Sequence, residues 1–238
     1  MIDFMMAPAK LPPDQRVYAI GDVHGCLDRL AAMHAAIAND LAERPVKEPL
    51  LVHLGDYVDR GADSAGVVAR LAERVAMPDV PTVNLMGNHE HMMLDAIASG
   101  EAEAAELWLA NGGTESLLSW DVPRSAQPKE WASYLPARHL IFLRDLAAYH
   151  EAGGYLFVHA GLRPGIPLAQ QSRHDLMWIR EPFLSSKASF GAVVVHGHTP
   201  RPEPVVRPNR IGIDTGAVIG GALTCVVLEA DRLGFITA

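Results

Sequence analysis

The chain has 238 residues, 49 % hydrophobic and 20 % charged, which is ordinary for a soluble globular protein with a sizeable core. A formal net charge of -8 argues against generic affinity for a nucleic-acid backbone, though it permits a small phosphorylated substrate at one local positive site. Two cysteines, Cys26 and Cys225, are too few for a disulfide framework, and no run reaches the ~20 apolar residues of a membrane span. The expectation is a reduced cytoplasmic protein with no membrane partner.

Met1 to Gln15, with Pro8, Pro12 and Pro13, reads as a loose lead-in without a signal-like stretch, and residues 16–238 read as one domain. Val17 to Ile20 is a short strand ending in Gly21-Asp22-Val23-His24-Gly25. From Cys26 to Glu43, the positions Leu27, Leu30, Ala31, His34, Ile37, Ala38 and Leu41 recur at helical spacing, and Pro45 and Pro49 end that helix. A second strand, Leu50 to Leu54, runs into Gly55-Asp56-Tyr57-Val58-Asp59-Arg60-Gly61. The pattern predicts a helix over Ala62 to Met77 with Val67, Val68, Leu71 and Val75 on one side. Thr82 to Met86 is then a third strand, ending in Gly87-Asn88-His89-Glu90.

Asp22 to Asp56 is 34 residues and Asp56 to Asn88 is 32, each close to one βαβ unit of ~30 residues. Right-handed crossovers put the C-terminal ends of parallel strands on one edge, where ligands bind in such sheets. The three motifs are therefore expected to meet in space. Residues 91–150 break the alternation and hold Trp108, Trp120 and Trp131; they read as a helical insertion with these rings in its core.

The α/β pattern returns at Tyr155 to Val158, followed by His159-Ala160-Gly161. It returns again at Ala192 to Val195, followed by His196-Gly197-His198-Thr199. A proline-rich loop, Pro200 to Pro208, precedes Ile213-Asp214-Thr215-Gly216. The closing strands, Ala222 to Leu228 and Leu233 to Thr237, are expected as a hairpin of a second sheet.

Unpaired charge at the end of a buried strand costs several kcal/mol per group, roughly, so a metal or an anion is expected to compensate it. Asp22, His24, Asp56, Asn88, His159 and His198 offer mixed nitrogen and oxygen ligands with no thiolate, which suits Mn, Fe or Zn better than a structural zinc site. Asp56, in the middle motif, is the natural bridge between two ions. Asp22 and His24 are expected to point the same way from one extended segment and chelate the first ion. Asn88, His159 and His198 complete the second.

The blocks at 21–25, 55–61 and 87–90, with His-Ala-Gly at 159–161 and Gly-His-Thr at 197–199, resemble the signature blocks of the PPP-type metallophosphoesterases. That family includes serine/threonine protein phosphatases and symmetrical diadenosine tetraphosphatases. The resemblance runs from residue 17 to residue 229 and implies an α/β fold: a calcineurin-like metallophosphoesterase sandwich of two mixed sheets flanked by helices, with the helical insertion beside it. It implies Asp22, His24 and Asp56 as ligands of one divalent ion, and Asp56, Asn88, His159 and His198 as ligands of the other, with Mn²⁺ the leading identity. It further implies His89 as general acid, Asp59 as the carboxylate that orients and charges it, and Arg60, Asn88 and Arg180 as phosphate-binding groups. The reaction so implied is direct in-line attack on phosphorus by a metal-bridging hydroxide, without a phosphoenzyme.

Asp59 and Glu90 resemble the protein-phosphatase branch, since the tetraphosphatases typically replace the first and carry Gly-Asn-His-Asp in the third block. Phosphoserine or phosphothreonine in a protein, or a small phosphate ester, is thus the expected substrate, with a symmetrical dinucleoside polyphosphate as the alternative. Pro200 stands where the related nucleases carry a further histidine. Cys26 reads as a packing residue, and His34, His53, His91, His139, His150 and His174 as surface or structural residues. His196 is expected on the same side as His198 if the segment is extended, with Asp214 and Thr215 as further partners of the site.

Overall fold

The computed structural model describes residues 2–73, Met77 and 79–238. Strand β1 (Met5–Met6) precedes β2 (Gln15–Ile20), helix α1 (Leu27–Glu43), β3 (Glu48–His53), α2 (Ser64–Ala72) and β4 (Thr82–Asn84). Strands β2, β3 and β4 pair in parallel, as the motif spacing predicts. Helix α2 starts where the Asp63 side chain accepts the Gly66 N–H at 2.7 Å. Its expected continuation through Val75 falls outside the described residues.

Helices α3 (Asn88–Ser99), α4 (Ala102–Trp108), α5 (Thr114–Ser119) and α6 (Ala137–Arg144) form the insertion, with a π turn at Leu109–Gly113. Strands β5 (Tyr149–Ala152) and β6 (Tyr155–Val158), helix α7 (Arg173–Trp178) and strand β7 (Val193–His196) follow. The chain closes with β8 (Val205–Arg207), β9 (Arg210–Gly212), β10 (Thr224–Glu229) and β11 (Arg232–Thr237). Strand β8 lies inside the stretch expected as a proline-rich loop. It is an edge strand, the position in a sheet where flanking prolines are tolerated.

A six-stranded sheet, β1-β11-β10-β2-β3-β4, faces a five-stranded sheet, β5-β6-β7-β9-β8, and both are mixed. Alternation along β2 divides the core. Val17 and Ala19 join Phe157, Val195, Ile211 and Val226 between the sheets, whereas Tyr18 and Ile20 join Leu30, Met33, Ile37 and Val67 under the helices. On α1, Ala38 is exposed and Asp40 is buried in its stead, where it pairs with Arg16 and Arg44.

The C-terminal hairpin corrects the sequence expectation. It belongs to the first sheet, with β10 antiparallel to β2 from Cys225 opposite Ile20 to Glu229 opposite Arg16. Val226 and Leu228 need cover on one face of β10 and Cys225 and Val227 on the other, and the place beside β2 supplies both. The lead-in is also held: Met5 pairs with Leu233, and the Leu11 N–H reaches Ala230 O at 2.9 Å. Among the described residues no helix is long and apolar enough to cross a membrane.

Candidate active site

The C-terminal ends of β2, β3, β6 and β7, with the N-terminus of α3, bring Asp22, His24, Asp56, Asn88, His159 and His198 to one edge, all buried. Two compact groups share Asp56. One is His24, Asp56 and His89, the other Asp56, His159 and His198; within each, the candidate ligand atoms lie within 4.8 Å of one another. Asp56 is the one residue common to both groups.

His24 Nδ1 donates to Val58 O at 2.9 Å, and His159 Nδ1 donates to Leu54 O at 2.9 Å. Each ring therefore turns its Nε2 lone pair inward, the arrangement by which carbonyls orient metal-binding histidines. His159 Nε2 lies 3.4 Å from Asp56 Oδ2 and 3.0 Å from Asn88 Oδ1, and His198 Nδ1 lies 2.9 Å from the same Asn88 oxygen. Acceptors facing acceptors in a buried space require a cation or a proton between them. His198 Nε2 is buried without a partner. These residues could hold metal ions.

Without an ion, protons take that place. Burial works against charge on His159, but the Asp56 carboxylate outweighs it and raises the ring to about 10. Burial also opposes ionisation of Asp56, and His159, His89 and His24 together hold it well below the usual carboxylate range.

Asp22 lies beside His198. Its carboxylate accepts the His198 N–H at 3.0 and 3.2 Å and lies outside both compact groups. The segment is not extended there, because His24 has φ 45° and the His24 N–H turns to Asp56 O at 2.8 Å. Burial and the nearby Asp214 push Asp22 well above the usual carboxylate range.

The second half of the site is a pair. His89 Nδ1 and Asp59 Oδ2 are 2.7 Å apart and fully enclosed. Burial lowers the His89 pKa, but Asp56 and Asp59 reverse this and hold it above its ordinary value, which favours the cationic ring. Burial pushes the Asp59 carboxyl up, and hydrogen bonds from His89, Ser116 and Trp108 pull it back toward the ionised form.

Arg60 is exposed at the rim, with Nη1 3.1 Å from His24 Nε2. Arg180 is exposed too; it makes no hydrogen bond or ion pair with the cluster, although its charge acts on His198. His196 turns away from the site, its ring 5.0 Å from Phe183 and its Nε2 3.5 Å from Arg210, because His198 at φ 65° breaks the alternation. Asp214 accepts the Gly216 N–H at 3.0 Å, and the Thr215 hydroxyl ties to Ala222 O at 2.7 Å, so both brace the neighbouring loop. The Cys26 thiol is raised by burial and sits against His24 O, a packing contact.

Sequence reasoning missed several residues. Glu90 accepts four backbone N–H groups, from Asp56, Tyr57, Val58 and Gly87, at 2.6–3.1 Å, and so builds the turn that carries Asp56. Trp108 and Ser116 of the insertion both donate to Asp59. The one signal for the latter is Gly112-Gly113, a helix-breaking pair four residues after Trp108. Among the described residues, five of the eight non-glycine residues with positive φ are His24, Asp56, Asp59, Arg60 and His198, so backbone strain gathers at this edge.

A two-sheet sandwich with carboxylate and imidazole clusters at one strand edge is the architecture of a metal-dependent phosphoesterase. The sequence model of the calcineurin-like phosphoesterases matches residues 15–222, and the chain belongs to that family. It is 30 % identical over 220 residues to serine/threonine-protein phosphatase 1 of Salmonella typhimurium, covering 90 % of this chain and 93 % of the relative. It is 24 % identical over 226 residues to the asymmetrical bis(5'-nucleosyl)-tetraphosphatase PrpE of Bacillus cereus, covering 87 % and 88 %. A solved protein assigned as a diadenosine tetraphosphatase shares the fold with a TM-score of 0.68 and 23 % identity, covering 97 % of this chain and 98 % of that one.

Proposed function

We propose that the protein is a phosphomonoesterase acting on phosphoserine and phosphothreonine in proteins. The observation that carries this reading is the buried His89–Asp59 pair, 2.7 Å apart, beside the Asp56-centred cluster. An alkoxide leaves poorly without a proton, and a cationic imidazole held by a carboxylate can supply one. The similarity to a serine/threonine phosphatase over most of both chains supports the same reading.

Asp22, His24 and Asp56 would hold one divalent ion and Asp56, Asn88, His159 and His198 a second, with Mn²⁺ the proposed identity for both. Such ions, when bound, would supply a water acidified toward pKa ~7 and would neutralise charge at phosphorus. Arg60 and Arg180 approach the phosphate oxygens from the rim, where a planar guanidinium matches them in pairs. Asn88 offers its amide N–H to a third. His89 then delivers its proton to the leaving oxygen while Asp59 stays ionised behind it, as a carboxylate supports an imidazolium in other hydrolases.

A second reading is dinucleoside polyphosphate hydrolysis, favoured by the similarity to the tetraphosphatase of Bacillus cereus, an asymmetrical enzyme by name. The deciding experiment compares kcat/KM for phosphoserine and phosphothreonine peptides with that for diadenosine tetraphosphate, in the presence of Mn²⁺. The phosphopeptides are expected to be the better substrates. A preference for diadenosine tetraphosphate by orders of magnitude replaces the first reading with the second.

A further inference from the structure

Three residues of the insertion grip Asp59 and Arg60 through five hydrogen bonds. The Trp108 indole Nε1–H reaches both carboxylate oxygens of Asp59, at 2.9 and 3.0 Å. The Ser116 hydroxyl donates to Asp59 Oδ1 at 2.7 Å, and its oxygen accepts the Asp59 N–H at 2.8 Å. Gly112 O accepts the Arg60 N–H at 3.1 Å.

In a continuous α-helix, residues eight apart lie about 12 Å along the axis and about 80° around it from one another, so Trp108 and Ser116 would not share a target. The π turn at Leu109–Gly113, with Gly112 at φ 105°, brings them together. The other two indoles of the insertion do not reach the site: Trp120 donates to His139 and Trp131 to Ala126 O. Asp59 and Arg60 are consecutive non-glycine residues at φ 74° and 68°, a conformation that persists only where the surroundings impose it.

We infer that Trp108 and Ser116 are positioning residues for the leaving-group acid. With Oδ1 held by Trp108 and Ser116, and Oδ2 by Trp108 and His89, the Asp59 carboxylate cannot rotate. The His89 ring is thereby fixed with its free nitrogen toward the leaving oxygen. This rests on the phosphomonoesterase reading, and it assigns the insertion a role in that reaction.

Such a clamp matters most when the leaving group needs a proton. The test compares phenyl phosphate, which releases a weakly acidic phenol, with p-nitrophenyl phosphate, which releases an acidic one, for Mn²⁺-loaded wild type, Trp108→Phe, Ser116→Ala and Trp120→Phe. The first two variants are expected to lose about tenfold or more in kcat on phenyl phosphate and under about threefold on p-nitrophenyl phosphate, with KM and bound metal unchanged. Trp120→Phe is expected to keep the wild-type ratio. In metal-free protein, the proton resonance of the His89–Asp59 hydrogen bond should shift or broaden in Trp108→Phe and Ser116→Ala and stay in place in Trp120→Phe.

An unchanged ratio together with an unmoved resonance overturns the clamp; if Trp108→Phe does not fold, Ser116→Ala alone decides. A wild type that cleaves neither ester overturns the phosphomonoesterase reading instead, and the role in proton delivery falls with it.

Discussion

His159 Nε2 lies 3.4 Å from Asp56 Oδ2, and the two residues come from different sheets of the sandwich. Asp56 follows β3 and His159 follows β6, so the carboxylate shared by both ligand groups sits across the seam from the imidazole that faces it.

Asp56 and Asp59 are three residues apart in one turn and are expected to fail differently. Asp56→Asn should lose bound metal and activity together. Asp59→Asn should retain its metal while kcat falls by about 10²–10⁴-fold, the usual contribution of a general acid. Metal analysis beside kcat checks this, and equal metal loss in the two variants contradicts the division of labour.

Glu90→Gln should destabilise the whole protein. An amide presents one acceptor oxygen and one NH₂ to the four N–H groups that Glu90 now accepts. Losing charge-assisted bonds of this kind costs about 3 kcal/mol, a fall in Tm of roughly 6–12 °C for a chain of this size. A variant that melts like wild type would rule out this structural role.

Gly112→Ala should injure catalysis through Arg60. A Cβ at Gly112 would lie 2.7 Å from Arg60 Cγ and 2.9 Å from Arg60 N, on a residue at φ 105°. The backbone on both sides must shift, so kcat/KM should fall about tenfold or more, as small misplacements of a phosphate-holding group do. Metal content should not change. Steady-state kinetics on p-nitrophenyl phosphate with metal analysis reads both.

Acid should destabilise the protein through a buried histidine pair outside the candidate ligand set. His34 and His53 meet at 2.9 Å, with Arg70 donating to His34. Burial, reinforced by Arg70, lowers His34 to about 4, and burial, reinforced by His34, holds His53 well below its ordinary value. Between pH 6.5 and about 4 the unfolded chain binds more protons than the folded one, so stability falls as pH falls through that window. His34 alone accounts for about 3 kcal/mol. Urea unfolding across that range should show the loss in wild type and a shallower slope in His34→Gln.

The first three motifs were legible because βαβ spacing carries distance information: Asp22, Asp56 and Asn88 each sit one crossover apart, and the parallel register brings them to one edge. Orientation within each motif was not legible. Alternation predicted that His196 and His198 would share a side, but the left-handed residue at His198 sends His196 to Phe183 and Arg210 instead. The support of Asp59 was hidden because Trp108 and Ser116 lie 49 and 57 residues away, joined to it by a turn that no periodicity encodes. For the C-terminal hairpin, apolar residues on both faces of β10 marked a central strand and did not say which sheet it would complete.

The division of ligands between the two sheets bears on assembly. Asp22, His24 and Asp56 all follow strands of the first sheet, whereas the group of Asp56, Asn88, His159 and His198 is complete only when the second sheet has docked. On the ligand division proposed above, a half-built sandwich would offer one ion its full set of side chains and could not offer the other its own. Occupancy of the second position would then record that the two layers have closed on each other, at the same edge where the ester would be cut.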